Sequence, residues 1–85
     1  MVEMIKKKIQ AVLPDALIYV FNINDDGEHF EAIVIDASFE GKSLVQQQKI
    51  VMSAMKEAFE TKVHAMALKT FSPSKWELKK HLYNI

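Results

Sequence analysis

The sequence predicts one α/β domain with the order α-β-β-α-β-α. Three features carry that reading. Apolar residues recur at steps of three or four near the start of the chain. Two β-branched and aromatic runs flank an acidic turn containing glycine. A long amphipathic segment then separates the second such run from a third.

The first helix rests on Val2, Ile5, Ile9, Val12 and Leu13, with Lys6, Lys7, Lys8 and Gln10 largely on the other face. Pro14 ends it, because the residue before a proline is pushed out of the helical region. Leu17 to Asn24 reads as a strand, Asp25-Asp26-Gly27-Glu28 as a hairpin turn, and His29 to Asp36 as the returning strand. The apolar run Ala32 to Ile35 indicates a strand covered on both faces. After a glycine turn at Phe39 to Lys42, Ser43 and Gln46 have capping-box spacing. Leu44, Gln48, Val51, Met55 and Phe59 continue as a helical stripe, and a break near its start would make the segment a helix-turn-helix. Val63 to Phe71 is the third strand. Ser72-Pro73 opens a last helix, with serine as cap and proline at the first position, and Trp76 and Leu82 are expected to bury it.

Length and composition bound the function. A chain of 85 residues is read as one domain, 1–85, with a single modest core. Basic and acidic residues balance at 11 each, so no global field favours nucleic acid or anionic membrane. Every basic residue is lysine, so the planar fork that reads guanine edges is absent. There is no cysteine, hence no disulfide and no thiolate nucleophile, which fits a reducing, cytoplasmic setting. The N-terminal residues read as a folded helix rather than a signal peptide, and no stretch approaches the roughly 20 apolar residues of a membrane span. Serine, aspartate and histidine do not pair into a triad, and an enzyme is not expected.

The helical connection between the second and third strands is long enough for a right-handed crossover, which makes those strands parallel. Their first residues then share one end of the sheet. His29 opens the second strand and His64 stands near the start of the third. Two neutral imidazoles at one rim are suited to a soft or borderline metal, but two ligands are too few for a closed site. The rest would come from a partner. The same spacing fits two solvated strand-end histidines, and spacing alone does not separate these readings.

Other features carry less. Asp25, Asp26 and Glu28 form an acidic hairpin tip of the kind that is usually solvated. Gly41-Lys42-Ser43 echoes the end of a phosphate loop without its upstream glycine. Met52, Met55 and Met66 read as core filler, and His81 as a solvated helix-end residue. For nucleic acid the candidate contacts are Lys42, Lys49, Lys79 and Lys80.

Three segments, in order, resemble the BolA family. They are Asp26-Gly27-Glu28-His29-Phe30, Phe39-Glu40-Gly41-Lys42-Ser43-Leu44-Val45, and Val63 to Pro73 closed by Trp76. Many relatives carry an Arg-His-Arg-like run where this chain has Gln47-Gln48-Lys49, which is more similar to the small acid-stress-associated bacterial subgroup. The resemblance implies a fold similar to a class II KH domain, with a three-stranded mixed sheet and helices packed on it. Gly41 is not followed by the second glycine of a KH clamp.

The resemblance also implies a monothiol glutaredoxin as partner, with or without a bridging [2Fe-2S] cluster. In the bridged form the family's invariant histidine, matching His64, is a ligand, and a hairpin-loop residue, matching His29, is the second candidate. Glutaredoxin and its glutathione would supply the thiolates, and no cluster is expected on the isolated chain. Imidazole in place of thiolate raises a cluster's potential, and protonation of imidazole competes with metal binding. The alternative is a nucleic-acid-binding regulator using the central helices, with weak and mostly electrostatic DNA affinity. The oligomeric state, the recipient of any cluster and any DNA target are not legible in the sequence.

Overall fold

In the computed structural model, which describes residues 1–25, 29–61 and 65–83, the elements follow the expected order. Helix α1 spans Val2–Val12 and strand β1 spans Leu17–Asn22. Strand β2 is His29–Ile35, helix α2 is Leu44–Thr61, strand β3 is Ala65–Phe71 and helix α3 is Pro73–Lys79. Short 3₁₀ turns follow β2 at Ala37–Phe39 and α3 at Lys80–Leu82.

The sheet order is β1-β2-β3. β1 and β2 are antiparallel, with Leu17 opposite Ile35 and Asn22 opposite Phe30. β2 and β3 are parallel, with His29 opposite Ala65 and Ile35 opposite Phe71. Side chains alternate between faces along each strand, so two cores form. On one face Ile18, Phe30, Ala32 and Val34 pack with Ile5, Ile9 and Leu13 of the α1 segment and with Val51 and Met55 of α2. On the other, Ile33 and Ile35 pack under Trp76 of α3, flanked by Tyr19, Phe71 and Tyr83. β2 is thus covered on both faces at Ala32 to Ile35, as its unbroken apolar run indicates.

Several local expectations are corrected. β1 stops at Asn22 rather than Asn24, because Asp25 takes a left-handed conformation (φ 54°) and its N–H turns back to the Asn22 carbonyl. β2 stops before Asp36, which instead caps the 3₁₀ turn by accepting from the Ser38 N–H and hydroxyl. α2 is continuous, so the helix-turn-helix is absent; it contains no proline or glycine to break it. The capping box is formed as expected, with Ser43 N–H donating to Gln46 Oε1 at 3.0 Å and Gln46 N–H to Ser43 Oγ at 3.2 Å. Gly41 precedes it at φ 76°, where an L-residue would be strained. Val12 and Leu44, placed inward by helical spacing, Met52, read as core filler, and Leu82, expected to bury the last helix, are all exposed. The tip residues Asp26, Gly27 and Glu28 lie outside the described residues.

Candidate metal centre

The rim where β2 and β3 begin carries one candidate ligand among the described residues, His29. His29 is the first residue of β2, half-buried, and its carbonyl accepts from the Ile23 N–H at 3.0 Å. Directly across the parallel pair is Ala65, the residue after His64 in the sequence. His64 and Val63 lie outside the described residues. The expected parallel pairing of the second and third strands is met, and with it the placement of His29 at the end of the sheet where β3 starts.

His29 shares its sheet face with Glu31, Ile33 and Ile35. α3 covers only the far part of that face, around Ile33, Ile35 and Phe71. Nearer the rim Glu31 is half-buried and Ala67, opposite it on β3, is exposed. His29 therefore stands, half-buried, at the end of the sheet face that α3 does not reach. Among the described residues no three His, Cys, Asp or Glu side chains converge. The donor set among the described residues is that of a partial site, one imidazole beside the strand that follows His64 in the sequence.

The four candidate lysines are not brought together. Lys42 lies in the loop before α2, past the opposite end of β2 from His29, and its Nζ donates to the Ser38 carbonyl at 2.7 Å. Lys49 is exposed on α2. Lys79 ends α3, and Lys80 pairs with Glu77 at 2.5 Å. α2 and α3 pack on opposite faces of the sheet, so Lys49 and Lys79 belong to different layers. His81 is exposed beside the same helix end.

Sequence reasoning missed the polar group that anchors α2. Gln47 is buried, and its Nε2 donates to the carbonyls of Lys42 at 2.9 Å and Phe39 at 3.4 Å. Its Oε1 accepts from the buried Thr70 hydroxyl at 2.8 Å. Gln47, Val51 and Met55 recur at steps of four, and that spacing was the available signal. Gln48, placed in the stripe instead, donates to the Leu68 carbonyl at 3.3 Å.

Fold and rim together define a small α/β module, a three-stranded mixed sheet with helices on both faces and a histidine opening its central strand. The profile of the family described as BolA-like protein matches residues 6–75, and the chain belongs to that family. It is 32% identical over 71 residues to the acid stress protein IbaG of Escherichia coli K12, covering 81% of this chain and 84% of that protein. It is 27% identical over 82 residues to the DNA-binding transcriptional regulator BolA of the same strain, covering 88% and 78%. Among solved structures, a bolA protein homologue from Coxiella burnetii superposes with a TM-score of 0.77 at 29% identity, covering 91% of this chain and 96% of that one. No helix among the described residues is long and apolar enough to cross a membrane.

Proposed function

We propose that this BolA-like chain is a non-enzymatic adaptor that partners a monothiol glutaredoxin and shares a [2Fe-2S] cluster with it, in iron-sulfur trafficking or iron and stress sensing. His64 and His29 are the ligands from this side, and the partner's cysteine and bound glutathione supply the thiolates. The observation that carries the reading is the parallel register of His29 opposite Ala65, because the chain reaches Ala65 directly from His64. An imidazole at the sheet's rim suits a shared cluster better than a resident one, since a closed site needs four donors. The test is co-purification with a monothiol glutaredoxin and glutathione, followed by reconstitution and a visible absorption spectrum. A mixed complex with a spectrum distinct from the glutaredoxin homodimer is expected. A spectrum identical to that homodimer, with this chain unbound, would sink the proposal.

A second reading, a nucleic-acid-binding regulator, draws its support from the 27% identity to the regulator BolA. The unbroken α2 and the division of Lys49 and Lys79 between layers weigh against a sequence-specific interface. The adaptor is therefore preferred.

A further inference from the structure

The two edges of the sheet are treated differently. In β3 the hydrogen bond from Asp36 N–H to the Phe71 carbonyl fixes the parity, so odd-numbered β3 residues bond inward and Leu68 faces outward. That outward carbonyl is covered by Gln48 of α2, and Lys69 places a charge in the strand. Both are devices that keep an edge from pairing with another chain. β1 has neither. The bond from Ile23 N–H to the His29 carbonyl sets its parity, so Tyr19 and Phe21 bond to β2 while Ile18 and Val20 direct N–H and C=O away from the sheet. No loop or cap bond among the described residues reaches the Ile18 or Val20 backbone. β1, Leu-Ile-Tyr-Val-Phe-Asn, contains no charge and no proline. Leu17, Phe21 and the adjoining Ile23 are 46%, 41% and 56% exposed.

We propose that β1 is a self-association edge on which a second copy of this chain adds its own β1, antiparallel, across a two-fold axis at Val20. An antiparallel strand pair is self-complementary under a two-fold axis, as closed dimers require. With the axis at Val20, that residue meets Val20 of the second copy and exchanges both backbone bonds. On the face shared with α3, Tyr19 then lies opposite Phe21 of the second copy, and Leu17 opposite its Ile23. Each exposed apolar side chain gains an apolar partner. Shifting the axis to Tyr19 would leave Ile23 facing the turn before the second copy's β1 rather than an apolar side chain of the strand, which selects the Val20 register. Within the paired strands no like charges meet. One short strand pair buries less than the ~1,200 Å² typical of stable complexes, so the association is reversible and concentration-dependent.

The test uses the chain alone, without glutaredoxin or cluster, so its outcome is separate from that of the proposed function. Sedimentation equilibrium over a concentration series should show the mass rise from 9.8 kDa toward twice that value. Amide exchange at Ile18 and Val20 should slow with concentration while Met66 and Leu68 stay unchanged. Phe21→Lys and, separately, Ile23→Lys should weaken association by about tenfold or more, with far-UV circular dichroism unchanged because both positions are exposed. A mass of 9.8 kDa at every concentration would overturn the proposal. So would wild-type association in Phe21→Lys, protection confined to β3 or α2, or edge amides protected only when a different protein is added.

Discussion

Thr70 donates its hydroxyl to Gln47 Oε1 at 2.8 Å, joining the buried end of β3 to the first turns of α2. The same glutamine holds the Lys42 carbonyl, so one amide fixes where the central helix starts relative to the sheet. Removing one partner of a buried hydrogen bond costs the desolvation of the other, about 1–3 kcal/mol. Thr70→Val should therefore cost about 1–2 kcal/mol. Gln47→Leu should cost about 2–3 kcal/mol, since it leaves the Lys42 carbonyl and Thr70 hydroxyl unpaired. The double variant should cost less than the sum. Urea denaturation of all four proteins measures this, and additive losses would refute the coupling.

The second core is small, so its central side chain should matter more than its size suggests. Trp76 lies 5.4 Å from Phe71, 5.6 Å from Tyr83 and 6.1 Å from Tyr19, ring centre to ring centre. Trp76→Ala should cost about 3–5 kcal/mol, and Trp76→Phe clearly less. Leu78→Ala and Leu82→Ala, at exposed positions on the same segment, should change stability by no more than about 0.5 kcal/mol. A thermal denaturation series separates the two classes; a loss at Leu82 as large as at Trp76 would contradict this packing.

The contrast between Trp76 and Leu82 shows what was legible in the sequence. Element order, the end of α1, the starts of α2 and α3 and the parallel pair came from Pro14, the Ser43–Gln46 box, Ser72-Pro73 and the length of the crossover. Inward and outward assignment failed at Met52, inside α2, and otherwise near element ends. There periodicity still holds but the neighbouring layer has stopped, as at Val12, Leu44 and Leu82. Gln47 was overlooked because a polar residue at an inward position is explained only by its partners, and Thr70 is distant in sequence. Of the candidate site, the strand register and the position of His29 follow from topology, while His64 lies outside the described residues.

Nucleic-acid affinity should be weak and electrostatic. Each phosphate contact contributes about −0.9 to the slope of log affinity against log salt on duplex DNA. Lys49 and Lys79 sit in different layers, and Lys42 and Lys80 are already engaged, so few contacts form at once. Lys49→Gln and Lys79→Gln should each weaken binding slightly and equally for all sequences. A titration at physiological salt finding tight binding to one sequence over its scrambled version would reverse the preference between the two functional readings.

The last prediction concerns the proposed cluster. Alone, the chain should hold no [2Fe-2S] centre, having no cysteine to supply thiolate. With a monothiol glutaredoxin and glutathione, imidazole should replace thiolate in part of the shell, shifting absorption and circular dichroism away from those of the glutaredoxin homodimer. His64→Ala should abolish the distinct spectrum. His29→Ala should alter it without abolishing it, because His29 opens β2 beside a hairpin that offers other donors, including Asp25. The complex without cluster should survive both substitutions, since binding energy in a protein interface is not confined to two rim side chains. Reconstitution of wild type and both variants, with the apo complex followed by calorimetry, separates ligand loss from partner loss. If the His64→Ala complex kept the wild-type cluster spectrum, the ligand role of His64 would be wrong. If it lost the apo complex as well, His64 would be a docking residue rather than a ligand.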